Sequence, residues 1–149
     1  MGYELKVFTD GASRGNPGLS AIGVVITDEK DNILKTYNKF LGKYSNNFAE
    51  YSALIESISV LKNSGIEIER INFYSDSELV VKQIKGEYKI KHKDLINLSL
   101  EFWKQIKSLN KKFTISYIPR ELNKTADKLA NEALDNYLKG ETDRSLLTE

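Results

Sequence analysis

The sequence predicts an α/β fold, a five-stranded mixed sheet in which a three-stranded antiparallel meander is joined by parallel strands and flanked by helices. Two observations carry this prediction. Three segments rich in β-branched and aromatic residues follow one another closely, separated only by turn residues. Two further segments of this kind alternate with stretches of helical periodicity, which favours parallel strands connected by helices.

The five predicted strands share an apolar or alternating pattern that stops at turn residues. They are Tyr3 to Thr9, Ala21 to Thr27, Ile33 to Leu41, Ile71 to Ser75 and Phe113 to Ile118. The first three form the meander, because the connections between them are too short for a crossover. The helical segment between the third and fourth strands suits a right-handed parallel crossover.

Four helices are predicted from apolar residues that recur three or four positions apart. The first carries the apolar positions Tyr51, Leu54, Ile55, Ile58 and Leu61 and stops at Ser64-Gly65. The second follows Asp76 and ends at Gly86, the third spans about Leu95 to Leu109, and the fourth runs from about Lys124 to Leu138. The order of elements is therefore βββαβααβα. Residues 1–139 form one folded domain, and residues 140–149, which lack periodicity, are expected to be a flexible C-terminal tail.

Composition narrows the class of protein. Hydrophobic residues make up 40% and charged residues 29% of the 149 residues, as in a globular domain. The absence of cysteine excludes a disulfide framework and a thiolate metal site. No apolar run approaches membrane-spanning length and no secretory signal is present, so we expect a cytoplasmic protein without membrane contact. A net charge of +1 neither favours nor excludes nucleic acid as a partner.

Four acidic residues are candidates for a common site. Asp10 and Asp76 each end an apolar strand, and Glu50 and Asp127 lie in the early turns of two helices. Reactive groups of α/β sheets gather beyond the carboxyl ends of strands, so the four carboxylates could converge there. Each acid taken singly also fits an ordinary turn or helix-capping role. Four clustered carboxylates would repel one another and require a cation, for which hard oxygen ligands select Mg²⁺ or Mn²⁺.

A glycine-rich string follows the first of these acids. The string DGASRGNPG begins at Asp10 and contains three glycines and one proline. We interpret it as a loop that lets the backbone approach a ligand closely, with an ordinary flexible turn as the alternative. It is not a nucleotide-binding P-loop, because no Gly-Lys-Ser/Thr ending opens a helix.

The acids and their neighbours together resemble type 1 ribonuclease H. The strings that carry the resemblance are DGASRGNPG, SNNFAE with Glu50, YSDSELV with Asp76 and NKTADKLA with Asp127, in the order of that family. The resemblance spans residues 3 to about 138 and implies the ribonuclease H-like fold for residues 1–139. It also implies metal-dependent endonucleolytic hydrolysis of RNA in RNA/DNA hybrids, with two Mg²⁺ ions or Mn²⁺ as a substitute, by a monomer.

The resemblance also assigns roles to single residues. It makes Asp10, Glu50, Asp76 and Asp127 the metal-binding catalytic acids, and it implies 5′-phosphate and 3′-hydroxyl products. A further set is assigned to the substrate. Gly11 and Ala12 belong to the substrate site in general, Ser13, Gly15 and Asn46 contact the RNA strand, Asn16 and Asn47 face the DNA strand, and Ser45 contacts a DNA phosphate. Small polar groups suit 2′-hydroxyls in a wide minor groove. For Ser45, Asn46 and Asn47 helix capping is the alternative role.

Three departures from the family pattern stand out. Many members carry a histidine shortly before the last acid, whereas this chain has Arg120, for which we expect phosphate binding, product release or simple surface exposure. Glu78 stands where many members have glutamine, so a base contact there is weakened and surface solvation is the alternative. The basic protrusion of longer relatives is reduced to residues 82–93, with five lysines and one acid. This segment is a candidate backbone-binding surface or a solvated face.

Two other functions remain open. The missing histidine leaves room for a broader ribonuclease that also cuts double-stranded RNA. A catalytically silent hybrid-binding module on the same fold is the non-enzymatic alternative, although four intact acids speak against it.

Overall fold

The structure, a computed structural model, describes residues 2–147, and the side chains of residues 2–140. The strands are β1 (Tyr3–Gly15), β2 (Gly18–Thr27), β3 (Ile33–Tyr44), β4 (Ile68–Ser75) and β5 (Lys112–Tyr117). The helices are α1 (Asn46–Lys62), α2 (Glu78–Ile84), α3 (Lys93–Leu109) and α4 (Lys124–Leu147), with a short 3₁₀ turn at Arg120–Leu122 before α4. The predicted order βββαβααβα is confirmed.

The five strands form one mixed sheet in the order β3-β2-β1-β4-β5. The pairs β1–β2 and β2–β3 are antiparallel, whereas β4 pairs in parallel with both β1 and β5. The predicted meander and parallel strands are therefore confirmed. The connection through α1 carries the chain from one edge strand, β3, across β2 and β1 to β4.

Helices cover both faces of the central strands. Val24 and Ile26 of β2 belong to a buried core that also contains Tyr51 and Leu54 of α1. The residue between Ile22 and Val24 is Gly23, which points the opposite way along the pleat and lies directly against Ala126 of α4. Because α1 and α4 cover opposite faces, β2 is buried along nearly its whole length.

The first strand is longer than its apolar pattern predicts. The prediction ended it at Thr9, but β1 continues to Gly15, with residues 10–15 paired to β2 up to Gly15 opposite Gly18. Most of the string DGASRGNPG is thus a hairpin arm and not a loop. The hydrophobic pattern stops early because this arm extends beyond the end of β4 and no longer has a strand on its other side.

The last helix also differs from the prediction, which ended it near Leu138. Its backbone continues to Leu147, and only residues 148–149 of the expected tail lie beyond the described residues. A single glycine such as Gly140 costs a helix about 1 kcal/mol, which is too little to end it. Among residues 2–147, no helix combines the length and the apolar composition needed to cross a membrane.

Candidate active site

The parallel pair β1–β4 brings the first two acids together. The last paired residues are Thr9 and Ser75, and the next residues along the two strands are Asp10 and Asp76. Since neighbouring parallel strands end on the same side of the sheet, both carboxyl groups lie at this edge. Asp10 is only 4% exposed and sits inside the continuing strand, opposite Gly23 of β2.

Glu50 reaches the same edge from the second turn of α1. The helix begins after Ser45, whose hydroxyl accepts a hydrogen bond from the backbone N–H of Phe48. The Gly11 N–H donates to Glu50 Oε1 at 2.9 Å, and the Ser75 hydroxyl donates to Glu50 Oε2 at 3.4 Å. Glu50 is thereby held by the residue that follows Asp10 and by the residue that precedes Asp76.

A close approach between β1 and α1 makes this geometry possible. A Cβ atom on Gly11 would overlap the backbone of Ala49 and Glu50, so only glycine allows the strand to lie so near the helix. The requirement for glycine at position 11 therefore comes from its contact with α1.

Asp127 enters from the first turn of α4. Its backbone N–H donates to the carbonyl of Asn123 at 3.1 Å. One turn later, the Asn131 amide donates to Asp127 Oδ1 at 3.2 Å and to the Asp127 carbonyl at 3.0 Å. A Cβ atom on Gly23 would overlap the carbonyl oxygen of Ala126, so a second glycine sets how closely α4 approaches the sheet.

The four acids share one cavity, and their negative charges repel one another. One carboxylate oxygen each from Asp10, Glu50 and Asp76 lie within 4.8 Å of one another, and Asp127 lines the same cavity. Burial, followed by repulsion from Glu50 and Asp76, raises the pKa of Asp10 well above its usual range. Burial also raises the pKa of Glu50, against the effect of the Gly11 N–H, which lowers it. This set of hard oxygens fits divalent cations, which would offset the cost of enclosing like charges.

Two groups from the segment before α4 oppose the effect of burial on the pKa of Asp76. Burial raises its pKa, whereas a hydrogen bond from Asn123 and the charge of Arg120 lower it. Asn123 is itself 2% exposed, and its side-chain amide donates to the Thr9 carbonyl at 2.9 Å. One asparagine thus connects Thr9 in the middle of β1, the carboxyl group after β4 and the start of α4.

The cavity measures about 410 Å³ and gathers most of the predicted site residues. Besides the four acids, its walls include the predicted substrate residues Gly11, Ala12, Ser13, Asn46, Asn47 and Arg120. Ser77 also lines it and was not predicted. Its hydroxyl caps α2 by accepting from the Val80 N–H, and a serine directly after the strand-end acid is the signal that could have identified it.

Four predicted substrate residues lie outside the cavity wall, and three of them shape its rim. Ser45 caps α1, which is the capping alternative raised from the sequence. Asn16 accepts from the Asn46 N–H at 3.1 Å and so ties the hairpin turn to the start of α1. Gly15 ends β1 with a φ of 110°, a conformation that favours glycine, and its carbonyl accepts from the Ser13 hydroxyl.

Glu78, the fourth of these residues, faces the basic segment. Its carboxylate forms an ion pair with Lys82 at 2.9 Å and accepts from the Tyr88 hydroxyl at 3.4 Å. Glu78 therefore neutralises part of the lysine-rich segment and does not extend the acidic cavity.

Two asparagines and one glycine that position the acids were missed in the sequence. Asn123 precedes a predicted helix, as capping residues do, and that signal could have singled it out. Asn131 lies four residues after Asp127 on the same helix, a spacing at which side chains meet. Gly23 offered no local signal, because its role depends on a helix more than 100 residues away.

Comparisons with known proteins agree with this arrangement. The profile of the "Reverse transcriptase-like" family matches residues 8–133. A bifunctional protein of Mycobacterium tuberculosis is 35% identical over 133 residues, covering 89% of this chain and 36% of that protein. The ribonuclease H of Clostridium botulinum is 32% identical, covering 90% of this chain and 97% of that protein. The crystal structure of LC11-RNase H1 in complex with RNA/DNA hybrid is 38% identical, with a TM-score of 0.84 and coverage of 91% and 99%.

The mixed sheet, its flanking helices and the acids at one edge define the ribonuclease H-like class of domains. Within that class, the chain belongs to the type 1 ribonuclease H family. It spans only about a third of the length of the mycobacterial relatives that it matches.

Proposed function

We propose that this chain is an endonuclease that hydrolyses the RNA strand of RNA/DNA hybrids and leaves 5′-phosphate and 3′-hydroxyl ends. The observation that carries the proposal is the convergence of Asp10, Glu50 and Asp76 within 4.8 Å, with Asp127 on the same cavity. A binding module gains nothing from enclosing mutually repelling acids, whereas phosphoryl transfer requires the cations that they attract. Membership of the ribonuclease H family supports the same reaction.

The four acids would hold two divalent ions, with Mg²⁺ as the expected metal and Mn²⁺ as a substitute. Such ions activate an attacking water and stabilise the leaving 3′ oxygen. The chain's own groups orient the carboxylates beforehand: the Gly11 N–H holds Glu50, Asn123 and Arg120 act on Asp76, and Asn131 holds Asp127. Arg120 lines the cavity wall and would attract a substrate phosphate or assist product release. An arginine cannot replace the missing histidine as a general base.

Substrate recognition is proposed for the polar rim next to the acids. Ser13, Asn46 and Asn47 line the cavity with Gly11 and Ala12, where small polar groups and backbone amides suit RNA 2′-hydroxyls.

The outer rim would contact the remainder of the duplex. Gly15 continues the RNA side, and Asn16 belongs with Asn47 on the DNA strand. The Ser45 hydroxyl accepts the capping hydrogen bond from Phe48 but retains its own proton, which it can donate to a DNA phosphate. Glu78 would make at most a weakened base contact, because its negative charge disfavours that contact and its carboxylate pairs with Lys82.

The test is cleavage of a labelled RNA/DNA hybrid in Mg²⁺ and in Mn²⁺, beside double-stranded RNA, single-stranded RNA and a DNA duplex. Asp10→Asn removes the central acid, and Asp94→Asn, in the first turn of α3, is the matched control. We expect hybrid-selective cutting with 5′-phosphate products, lost in Asp10→Asn and kept in Asp94→Asn. Equal cutting of double-stranded RNA would establish the broader ribonuclease instead. Hybrid binding without turnover in either metal would establish the silent module.

A further inference from the structure

The only tryptophan of the chain, Trp103, lies on the outer side of α3 with 44% of its surface exposed. The rings of Phe102 and Phe113 hold it edge to face, with centroids 5.6 and 5.9 Å away. Phe102 is fully buried and packs against Phe73 of the central sheet. Trp103 is therefore a rigidly supported aromatic side chain that remains partly in solvent, which is typical of an interface anchor.

An open cavity lies beside this tryptophan, at the junction of α3 and β5. Its apolar walls are Trp103, Ile106 and Phe113, its polar rim contains Lys107, Asn110, Lys111 and Lys112, and its volume is about 520 Å³. Leu100 and Ile96 continue the apolar exposure along α3, with 62% and 38% of their surfaces exposed. Spacings of four and three residues place Ile96, Leu100 and Trp103 on one helix face. We call the seven residues of the cavity, together with Ile96 and Leu100, the α3–β5 surface.

The charged residues of the α3–β5 surface, and Lys104 beside it, are all basic. Between Glu101 and Glu121 the chain contains four lysines, at 104, 107, 111 and 112, and no acidic residue. Within residues 2–140, no carboxylate lies within 4.0 Å of any of these lysines. A partner with acidic groups would therefore meet uncompensated charge.

The surface is remote from the candidate active site. β5 pairs in parallel with β4, with Lys112 opposite Arg70 and Tyr117 opposite Ser75. The acids follow Ser75, whereas the cavity lies at Lys112, five residues or about 16 Å back along the strand. A hybrid held at the acids would have to follow the sheet edge for that distance to reach it. A concave apolar pocket also suits an inserted side chain better than a phosphate backbone.

We infer that the α3–β5 surface docks a protein partner through a short acidic segment. The segment places one aromatic or aliphatic side chain against Trp103, Ile106 and Phe113. Its carboxylates form ion pairs with the lysines at 104, 107, 111 and 112. This interaction goes beyond hybrid cleavage and does not depend on it, because the two surfaces share no residue.

Trp103 reports directly on the proposed cavity, because no other tryptophan contributes to the fluorescence. The full chain is titrated with short synthetic peptides rich in aspartate and glutamate that carry one phenylalanine or leucine, either internally or at the C-terminus. Matched peptides replace that apolar residue with alanine, or the acids with lysine. A single-stranded DNA and an RNA/DNA hybrid of equal charge form the nucleic-acid arm. Calorimetry on the same samples gives the affinities.

The charge requirement is tested with paired variants. Lys107→Glu combined with Lys111→Glu reverses the rim, and Lys35→Glu combined with Lys139→Glu makes the same change of charge at exposed positions elsewhere. We expect an acidic peptide with an apolar residue to shift the Trp103 emission with a Kd of about 1–100 μM. Binding should weaken at least about tenfold in the rim variant and with added salt, but not in the control variant. Hybrid cleavage should be unchanged in both.

Three results would overturn the inference. The first is that no acidic peptide shifts Trp103 at millimolar concentration. The second is equal binding of the alanine-substituted peptides, which would show that the cavity receives no side chain. The third is tighter binding of either nucleic acid at Trp103 together with slower hybrid cleavage in the rim variant, which would make the surface part of the nucleic-acid interface.

Discussion

Asp10 and Glu50 are almost completely enclosed, at 4% and 8% exposure, whereas Asp76 and Asp127 face the cavity half-buried. In the enclosed half, Glu50 is held by a backbone N–H and its position depends on the contact between β1 and α1. In the open half, Asp76 and Asp127 are oriented by the side chains of Asn123 and Asn131. The two halves of one site are thus built from different kinds of contact.

This difference separates contacts that hold the fold together from contacts that only orient a carboxylate. Changing the enclosed half alters the packing of a helix on the sheet, so activity and stability should fall together. Changing the open half removes side-chain hydrogen bonds made by Asn123 or Asn131 and forces no backbone overlap with a helix, so activity should respond more than stability. The enclosed carboxyl groups also carry a cost, since burial raises the pKa of both Asp10 and Glu50.

The largest effect is expected from Gly11→Ala. The new Cβ atom would overlap the backbone of Ala49 and Glu50, which cannot rotate away, so α1 must shift and carry Glu50 with it. We expect a loss of at least about 1–3 kcal/mol in the free energy of unfolding and a fall in cleavage of at least about a hundredfold. Thermal unfolding and hybrid cleavage measure the two effects. Gly140→Ala, a helical position with open space around the added atom, is the control. Wild-type stability and rate in Gly11→Ala would refute the close approach.

Asn123→Ala tests the residue that joins the two halves. The substitution leaves the Thr9 carbonyl without its side-chain donor and removes the hydrogen bond that lowers the pKa of Asp76. We expect about 10–100-fold slower cleavage and a loss of about 1–3 kcal/mol in stability. The apparent metal affinity, measured by titrating cleavage with Mg²⁺, should fall as well. Slower cleavage with unchanged metal affinity would show that Asn123 acts only on the fold.

Asp10→Asn should show how far the buried Asp10 carboxylate destabilises the metal-free protein. Because the folded pKa of Asp10 is raised above its unfolded value of about 4, its contribution to stability is present at acid pH and is lost as the pH rises. The amide has no such titration. The Tm of Asp10→Asn, measured in EDTA, should therefore rise relative to wild type as the pH increases above about 4. Added Mg²⁺ should stabilise the wild type more than the variant. A Tm difference independent of pH would contradict the raised pKa.

The smallest effect is expected from Asn131→Ala. It removes the hydrogen bonds of the partly exposed Asn131 amide to the Asp127 carboxylate and to the Asp127 carbonyl, while the Asp127 N–H keeps its bond to Asn123. Cleavage should slow by about 2–10-fold, with stability changed by no more than about 1 kcal/mol. Steady-state kinetics and thermal unfolding test both values. A loss as large as that of Gly11→Ala would remove the distinction between the two halves.

The sequence predicted the order of elements and the acids at the edge of the sheet, because both leave local signals. Strand and helix periodicities mark the elements, and the motif around each acid identifies its family. Local patterns could not predict the extension of β1 past Thr9, since those residues are ordered by pairing with β2. They also missed Gly23, whose importance lies in its contact with Ala126. The helix end near Leu138 was wrong because the residues after it lack the apolar periodicity from which helices were predicted. The roles of the four acids stay a prediction.

The central claim is that all four acids serve one metal-dependent cleavage site. Its most direct test is the rate of hybrid cleavage over a range of Mg²⁺ concentrations in four variants, Asp10→Asn, Glu50→Gln, Asp76→Asn and Asp127→Asn, with Asp94→Asn as control. We predict that each of the four loses at least about a hundredfold in rate at low Mg²⁺. Excess metal should restore part of the rate only in the open-half variants, and the control should match the wild type. Wild-type cleavage by either Asp10→Asn or Glu50→Gln would contradict the account.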